Sequence, residues 1–163
     1  MARIELDKTD RRILAVMQEF GRLSYQEVAE LVSLSPSPCL RRIRRLEQAG
    51  VIRKYVALLD ADKLGLGLLA YVNVRLEKHG EGGARSATSS RAAFAAAVMH
   101  WPEVIACHAM TGDMDYLLRV QVEDMEHFSR FMMDTLLRHS AVLDVRSSFA
   151  LQQVKETTAL PLG

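Results

Sequence analysis

The sequence predicts an α+β chain, with helices filling the first third and strands alternating with helices through the rest. Two hydrophobic periods carry this expectation. Apolar residues recur every three or four positions up to about residue 48, and every second position from Ala70 to Leu76. Charge divides at the same place: residues 1–60 hold 11 Lys and Arg against 8 Asp and Glu, whereas residues 61–163 hold 10 against 12. A basic helical module followed by a neutral-to-acidic sheet domain is therefore expected. The boundaries predicted are 1–60, a glycine-punctuated linker at 61–67 ("ADKLGLG"), and 68–163.

The first helix is predicted in "DKTDRRILAVMQEFG", where Ile13, Leu14, Met17 and Phe20 share a stripe and Gly21 is a stop. The second, "SYQEVAELVSLS", begins with Ser24 answered by Glu27 three residues on, a capping box, and buries Val28, Leu31 and Val32. The third starts at Ser35, with Pro36 at the first helical position, where its missing N–H costs nothing. Pro38 lies in the same first turn, where amides have no intrahelical acceptor. The helix runs to Gly50.

At about 100° per residue, Leu40, Ile43 and Leu46 fall in one arc of this helix, joined by Cys39. Ser37, Arg41, Arg44, Arg45 and Gln48 fall on the opposite side, with Arg42 on a flank. "VIRKYVALLD" then reads as a strand opening with Arg53 and Lys54. An arginine-rich helix face is by itself ordinarily solvated surface. Here a short capped helix precedes it at the spacing of a helix-turn-helix and a basic strand follows, which is the layout of a winged helix-turn-helix. Guanidinium groups fork onto phosphates and onto the O6/N7 edge of guanine, so double-stranded DNA is the expected partner. The expected DNA-facing set is Tyr25, Gln26, Ser37, Arg41, Arg42, Arg44, Arg45, Gln48, Arg53 and Lys54.

In the remainder, "LAYVNVRLE" alternates, with Ala70, Val72, Val74 and Leu76 on one face. Residues 79–91 ("HGEGGARSATSSR") read as a loop, and a helix is expected over 90–103, with Phe94, Val98 and Trp101 in register. "VIACHAMTG" and "DYLLRVQVE" form a hairpin across the "TGDMD" turn. "DMEHFSRFMMDTLLRH" is a helix capped by Asp124, with Phe128, Phe131, Met132, Thr135 and Leu136 inward, and "AVLDVRSSFALQQV" is a last strand. The order βαββαβ is that of a ferredoxin-like domain. Its second sheet face, with Tyr71, Leu117, Val142 and Leu143, is expected to be apolar enough to need a partner subunit.

"LDKTDRRIL", "LSPSPCLRRIRRLEQAGVI", "TGDMDYLLRV" and "VRSSFALQQVK" together resemble the leucine-responsive regulatory protein/AsnC (Lrp/AsnC) family of transcription regulators, over nearly the whole chain and in order. The resemblance implies an N-terminal winged helix-turn-helix that binds operator DNA and a C-terminal domain that senses amino acids. It implies homodimers assembling further to tetramers or octamers. It also implies an effector site lined by the turn Gly112, Asp113, Met114 and Asp115, with adjoining Tyr116, and by Ser147, Ser148, Phe149 and Ala150. Read chemically, the turn offers backbone N–H groups to a carboxylate, while Asp113 or Asp115 attracts an ammonium, Asp115 being better held at a strand start. Met114 and Phe149 favour an apolar effector such as leucine or methionine, whereas Ser147 and Ser148 admit a polar one.

Catalytic and metal constellations are not evident. His79, His100, His108, His127 and His139 show no HxxxH or HExxH pairing, and Cys107 and His108, as strand neighbours, project to opposite faces. No phosphate-binding glycine loop and no Gly-x-Ser-x-Gly turn occurs. No cofactor, catalytic residue or membrane span is therefore expected, and the absence of an apolar leader and of paired cysteines points to the cytoplasm. The alternatives are an amino-acid-binding assembly module, or a small ferredoxin-like enzyme, without a DNA role. Operator sequence, regulated genes, effector identity and direction of regulation are not written in the sequence.

Overall fold

The computed structural model describes residues 4–77 and 84–162, with the side chains of 84–89 left aside. Two compact units result. One comprises the chain up to Leu58 together with the stretch from Val154 onward; the other is Leu59–Gln153.

Three helices build the first unit: α1 (Lys8–Glu19), α2 (Tyr25–Leu31) and α3 (Pro36–Gln48). The predicted capping box on α2 is present, with the Ser24 N–H donating to Glu27 Oε2 at 2.7 Å and the Glu27 N–H to Ser24 Oγ at 3.3 Å. A second box, unforeseen from the sequence, opens α1. The Asp10 N–H donates to Asp7 Oδ1 at 2.7 Å, and the Asp7 N–H donates to Asp10 Oδ2 at 3.1 Å. Ser35 stands at the start of α3 without a side-chain capping bond, so the prolines supply the start there. Gly50 closes α3 at φ +70°, letting the Val51 and Ile52 N–H groups fold back onto Leu46 O. Ile13, Leu14, Val28, Ala29, Val32, Cys39, Ile43 and Leu46 form the core.

Several expectations shift. Phe20 lies past the last turn of α1 and is exposed, Leu31 is exposed, and Leu40 is only half-buried, displaced toward the arginine face. Residues 51–60, expected as a strand, form no ladder with any strand among the described residues. The last residues also depart from the predicted second domain. Gln18 clasps the backbone of Leu160 from both sides, Nε2 donating to its carbonyl at 3.1 Å and Oε1 accepting its N–H at 2.7 Å. Arg11 donates to the Leu162 carbonyl, and Leu162 packs against the helical core.

The second unit begins with a 3-10 turn, Asp62–Leu64, inside the expected linker. It continues with β1 (Leu68–Leu76), α4 (Ala84–Val98), β2 (Val104–Ala109), β3 (Tyr116–Val122), α5 (Met125–Arg130, continued by a π-helical turn Phe131–Leu136) and β4 (Val142–Phe149). The strands form one antiparallel sheet in the order β2-β3-β1-β4. Both helices pack on one face: Phe94, Val98, Phe128, Phe131, Met132 and Leu136 cover Ala70, Val72, Val74, Leu118, Val120 and Val122. Helix α4 starts well before the predicted residue 90, because "ARSATSS" contains no residue that breaks a helix. Of the expected 79–91 loop, residues 79–83 lie outside the described residues, His79 with them.

The other face of the sheet mixes apolar and charged residues. Register places Tyr71 beside Ser148 and Arg119, Asn73 beside Arg146 and Leu117, and Arg75 beside Asp144. Side chains alternate along each strand, so this face carries three arginines and an aspartate among its apolar residues. Tyr71 is exposed on it as expected, whereas Val142 packs against the core instead.

Candidate nucleic-acid interface and effector turn

Helix α3 reaches its arginine face by a turn after α2 in which Ser33 adopts φ +56°, in the left-handed region a non-glycine residue rarely enters. With Cys39, Ile43 and Leu46 buried, the other side of α3 is forced outward. Ser37, Arg41, Arg42, Arg44, Arg45 and Gln48 line one open concavity there, with Asp7 and Leu40. The remaining expected residues lie elsewhere. Tyr25, half exposed, lines a different concavity with Tyr55 and Glu47. Gln26, Arg53 and Lys54 are exposed.

The arginines are not equivalent. Arg41 and Arg44 are exposed and make no ion pair among the described residues. Arg42 donates to Asp7 Oδ2 at 2.6 Å and to Asp10 Oδ1 at 2.8 Å, and Arg45 donates to Asp10 Oδ2. Asp10 is fully buried, the one charged residue of either core among the described residues. The Asp10 amide, followed by the Arg42 guanidinium, holds the Asp7 carboxyl below its ordinary range, and the hydrogen bonds to Asp7 and Asp10 raise Arg42 above its own. Tyr55, which donates to Glu47 at 2.7 Å, is pushed up by desolvation and by that carboxylate.

The second unit presents the "TGDMD" turn between β2 and β3. Its base is fixed by the Met110 N–H donating to Asp115 O and the Asp115 N–H to Val74 O, both at 2.9 Å. Gly112 takes φ +105°, which an L side chain rarely adopts. Arg75 Nε donates to the Asp113 carbonyl at 3.2 Å and its guanidinium lies 3.9 Å from Met114 Sδ. Of the two aspartates, Asp113 is exposed. Asp115 is mostly buried and engaged: Oδ2 accepts the Leu76 N–H and Oδ1 accepts Arg91, both at 2.9 Å. Tyr116 is buried against Phe94, ring centroids 4.9 Å apart, and belongs to the core.

The 147–150 stretch lies at the other end of β1. Ser147, Ser148 and Phe149 pair with Val72, Tyr71 and Ala70, whereas the turn abuts Val74 and Leu76. At about 3.3 Å per residue the two stretches stand roughly 10–20 Å apart within one chain. Ser147 and Ser148 are exposed, Ala150 donates its N–H to Leu69 O at 3.0 Å, and Phe149 stacks edge-on against Phe128 at 5.0 Å.

Both cysteines are free, and burial pushes each thiol up. Among the described residues no group of three or more His, Cys, Asp or Glu gathers as metal ligands, and no helix is long and apolar enough to cross a membrane.

Comparison with known proteins adds to this geometry. Residues 6–53 match a family model described as winged helix-turn-helix DNA-binding, and residues 69–160 match one described as the Lrp/AsnC ligand binding domain. The chain is 41% identical over 157 residues to the DNA-binding transcriptional activator DecR of Escherichia coli, covering 96% of this chain and 99% of that protein. It is 40% identical over 156 residues to the leucine-responsive regulatory protein of Salmonella typhimurium, covering 96% and 91%. Among solved structures, a transcriptional regulator of Neisseria meningitidis in complex with L-Met superposes with a TM-score of 0.90 at 50% identity, covering 97% of each chain.

Proposed function

The chain belongs to the Lrp/AsnC family, and from that membership we propose that it is a DNA-binding transcriptional regulator whose hold on DNA answers to a small amino acid. The observation that carries the DNA half is the outward face of α3, where Arg41 and Arg44, without ion pairs among the described residues, stand beside Ser37 and Gln48. A helix so presented offers the major groove forked donors for guanine and short polar groups for phosphate. Arg53 and Lys54 add positive charge on the exposed chain that follows. Tyr25 and Gln26, at the exposed start of α2, extend the contact to the neighbouring backbone. Its relatives are transcriptional regulators, and this function calls on no catalysis and no cofactor. A regulator of this kind works beside the chromosome, in the cytoplasm.

For the effector, the similarity to the regulator held with L-Met supports an α-amino acid, with methionine or leucine as the first choices. The ligand carboxylate would meet the backbone N–H groups around Gly112, and the exposed Asp113 would draw the ammonium. Asp115 then serves by fixing the turn through Leu76 and Arg91. Because Ser147 to Ala150 stand far along β1 from that turn, a site using both stretches needs a turn from one subunit and a last strand from another. The proposed assembly is accordingly a homodimer that grows to a tetramer or octamer. The test combines gel shift on the DNA upstream of the protein's own gene with calorimetric titration of all twenty amino acids. Salt-dependent retardation altered by one or two amino acids is expected. Amino-acid binding without any DNA binding would leave an assembly module instead.

A further inference from the structure

Resting on the DNA reading above, we infer that Asp10 is a positioning residue of the DNA-binding face: it takes Arg45, and with Asp7 also Arg42, out of the set of arginines that neutralise DNA phosphates. Four of the five residues from 41 to 45 are arginines, and from sequence all four look equally available. The structure divides them into two pairs. Asp10 has no exposed surface, and its Oδ1 accepts from Arg42 at 2.8 Å while Oδ2 accepts from Arg45 and from the Asp7 N–H. Asp7 Oδ2 accepts from Arg42 at 2.6 Å. Two carboxylates thus meet two guanidinium groups, and this part of the face is neutral before any DNA arrives.

The consequence follows from what phosphate binding releases. A free arginine on a protein surface meets a DNA phosphate and sets a condensed counterion free, which gives binding its salt dependence. An arginine already matched by a carboxylate frees no such ion unless it abandons that carboxylate. For Arg45 the abandoned group would be Oδ2 of a buried carboxylate, left with Arg42 as its one charged partner among the described residues, and stripping a buried anion of part of its compensation is unfavourable. Arg41 and Arg44, exposed and without ion pairs among the described residues, have no such restraint. Asp10 therefore sets how many of the four arginines act as general phosphate binders. It holds the other two at fixed angles on α3, where the guanidinium edges not turned toward Asp10 are oriented for directional contacts.

The experiment measures the affinity of the full-length protein for a fluorescent duplex of mixed sequence across a range of salt, so that only the electrostatic response is read. Asp10→Asn keeps the shape and removes the charge. Its slope of log affinity against log salt is expected to steepen by about 0.9 per subunit, one additional phosphate neutralised. Adding Arg45→Gln to that variant should return the slope to the wild-type value. A merely structural Asp10 would lower the melting temperature and leave the slope where it was. Should Asp10→Asn not fold, single variants in the native background decide: Arg45→Gln is expected to lose less of the slope than Arg41→Gln. A folded Asp10→Asn protein with the wild-type slope, or an Arg45→Gln loss equal to that of Arg41→Gln, overturns the inference while the DNA reading stands. A wild-type protein that binds no duplex at any salt overturns both.

Discussion

Replacing Ile43 by alanine tests the placement of α3 more directly than any charge change. Ile43 is 1% exposed and sits in the helical core with Ile13, Val28, Ala29 and Leu46. The substitution removes three carbons from a close-packed site. At ~0.8 kcal/mol per buried methylene the transfer loss is about 2.4 kcal/mol, and the cavity left behind brings the total to roughly 2–5 kcal/mol. That is a large fraction of the ~5–15 kcal/mol by which a native protein is stable. In so small a unit each kcal/mol moves the midpoint by about 4–8 °C, so a fall of roughly 10 °C or more is expected in the helical melting transition. Far-UV circular dichroism during heating and during urea titration measures it, the urea slope showing whether the transition stays two-state. Leu40→Ala is the control: Leu40 is half-buried on the arginine side, so its loss should be the smaller. Unaltered melting of Ile43→Ala, or a larger loss at Leu40, would refute the helical phase that turns the arginines outward.

Further outcomes are expected. Arg41→Ala should weaken operator binding by ~1–3 kcal/mol where a base contact is lost, and by less where only a phosphate is, measured by fluorescence anisotropy at fixed salt. Asp7 and Glu27 both titrate below their ordinary values in the folded chain, Asp7 chiefly through the Asp10 amide and Glu27 chiefly through the Ser24 hydroxyl. The stability they contribute is complete above their unfolded values of 3.8 and 4.5 and is lost as pH falls through the lower folded ones. Melting temperature should therefore hold from pH 7 to about 5 and fall below about 4, and Glu27→Gln should remove part of that fall. Truncation after Gln153 removes the Gln18–Leu160 clasp and the Leu162 contact, so the helical transition should move to lower temperature; an unmoved midpoint would show the tail to be idle. Sedimentation of the full chain at micromolar concentration should give dimers or larger species, and a monomer would count against a shared effector site.

Much of the fold follows from local rules that a sequence displays. The capping box at Ser24 and Glu27, the prolines opening α3 and the alternation of β1 each involve residues within four positions of one another. Such interactions are readable without knowing what lies across the chain. The βαββαβ order came from the same periodicities and hairpin turn, and the family likeness agreed with it.

What tertiary structure alone decided concerns partners distant in sequence. Asp7 and Asp10 look like ordinary first-turn acids until α3 folds against α1 and brings Arg42 and Arg45 onto them across more than thirty residues. Asp115 looked free to hold a ligand until β1 supplied the Leu76 N–H and α4 supplied Arg91. The alternation of β1 put Arg75 on the helix-free sheet face, and strand register brought Arg119 and Arg146 beside it. The tail read as the end of the second domain until Gln18 took the Leu160 backbone. Sequence by itself determined the type and order of most elements and the greater part of each apolar side, because covalent spacing fixes those. Which charges remain free to act was decided by the fold, because a charge is neutralised by whatever lies within a few ångströms, and folding chooses that neighbour.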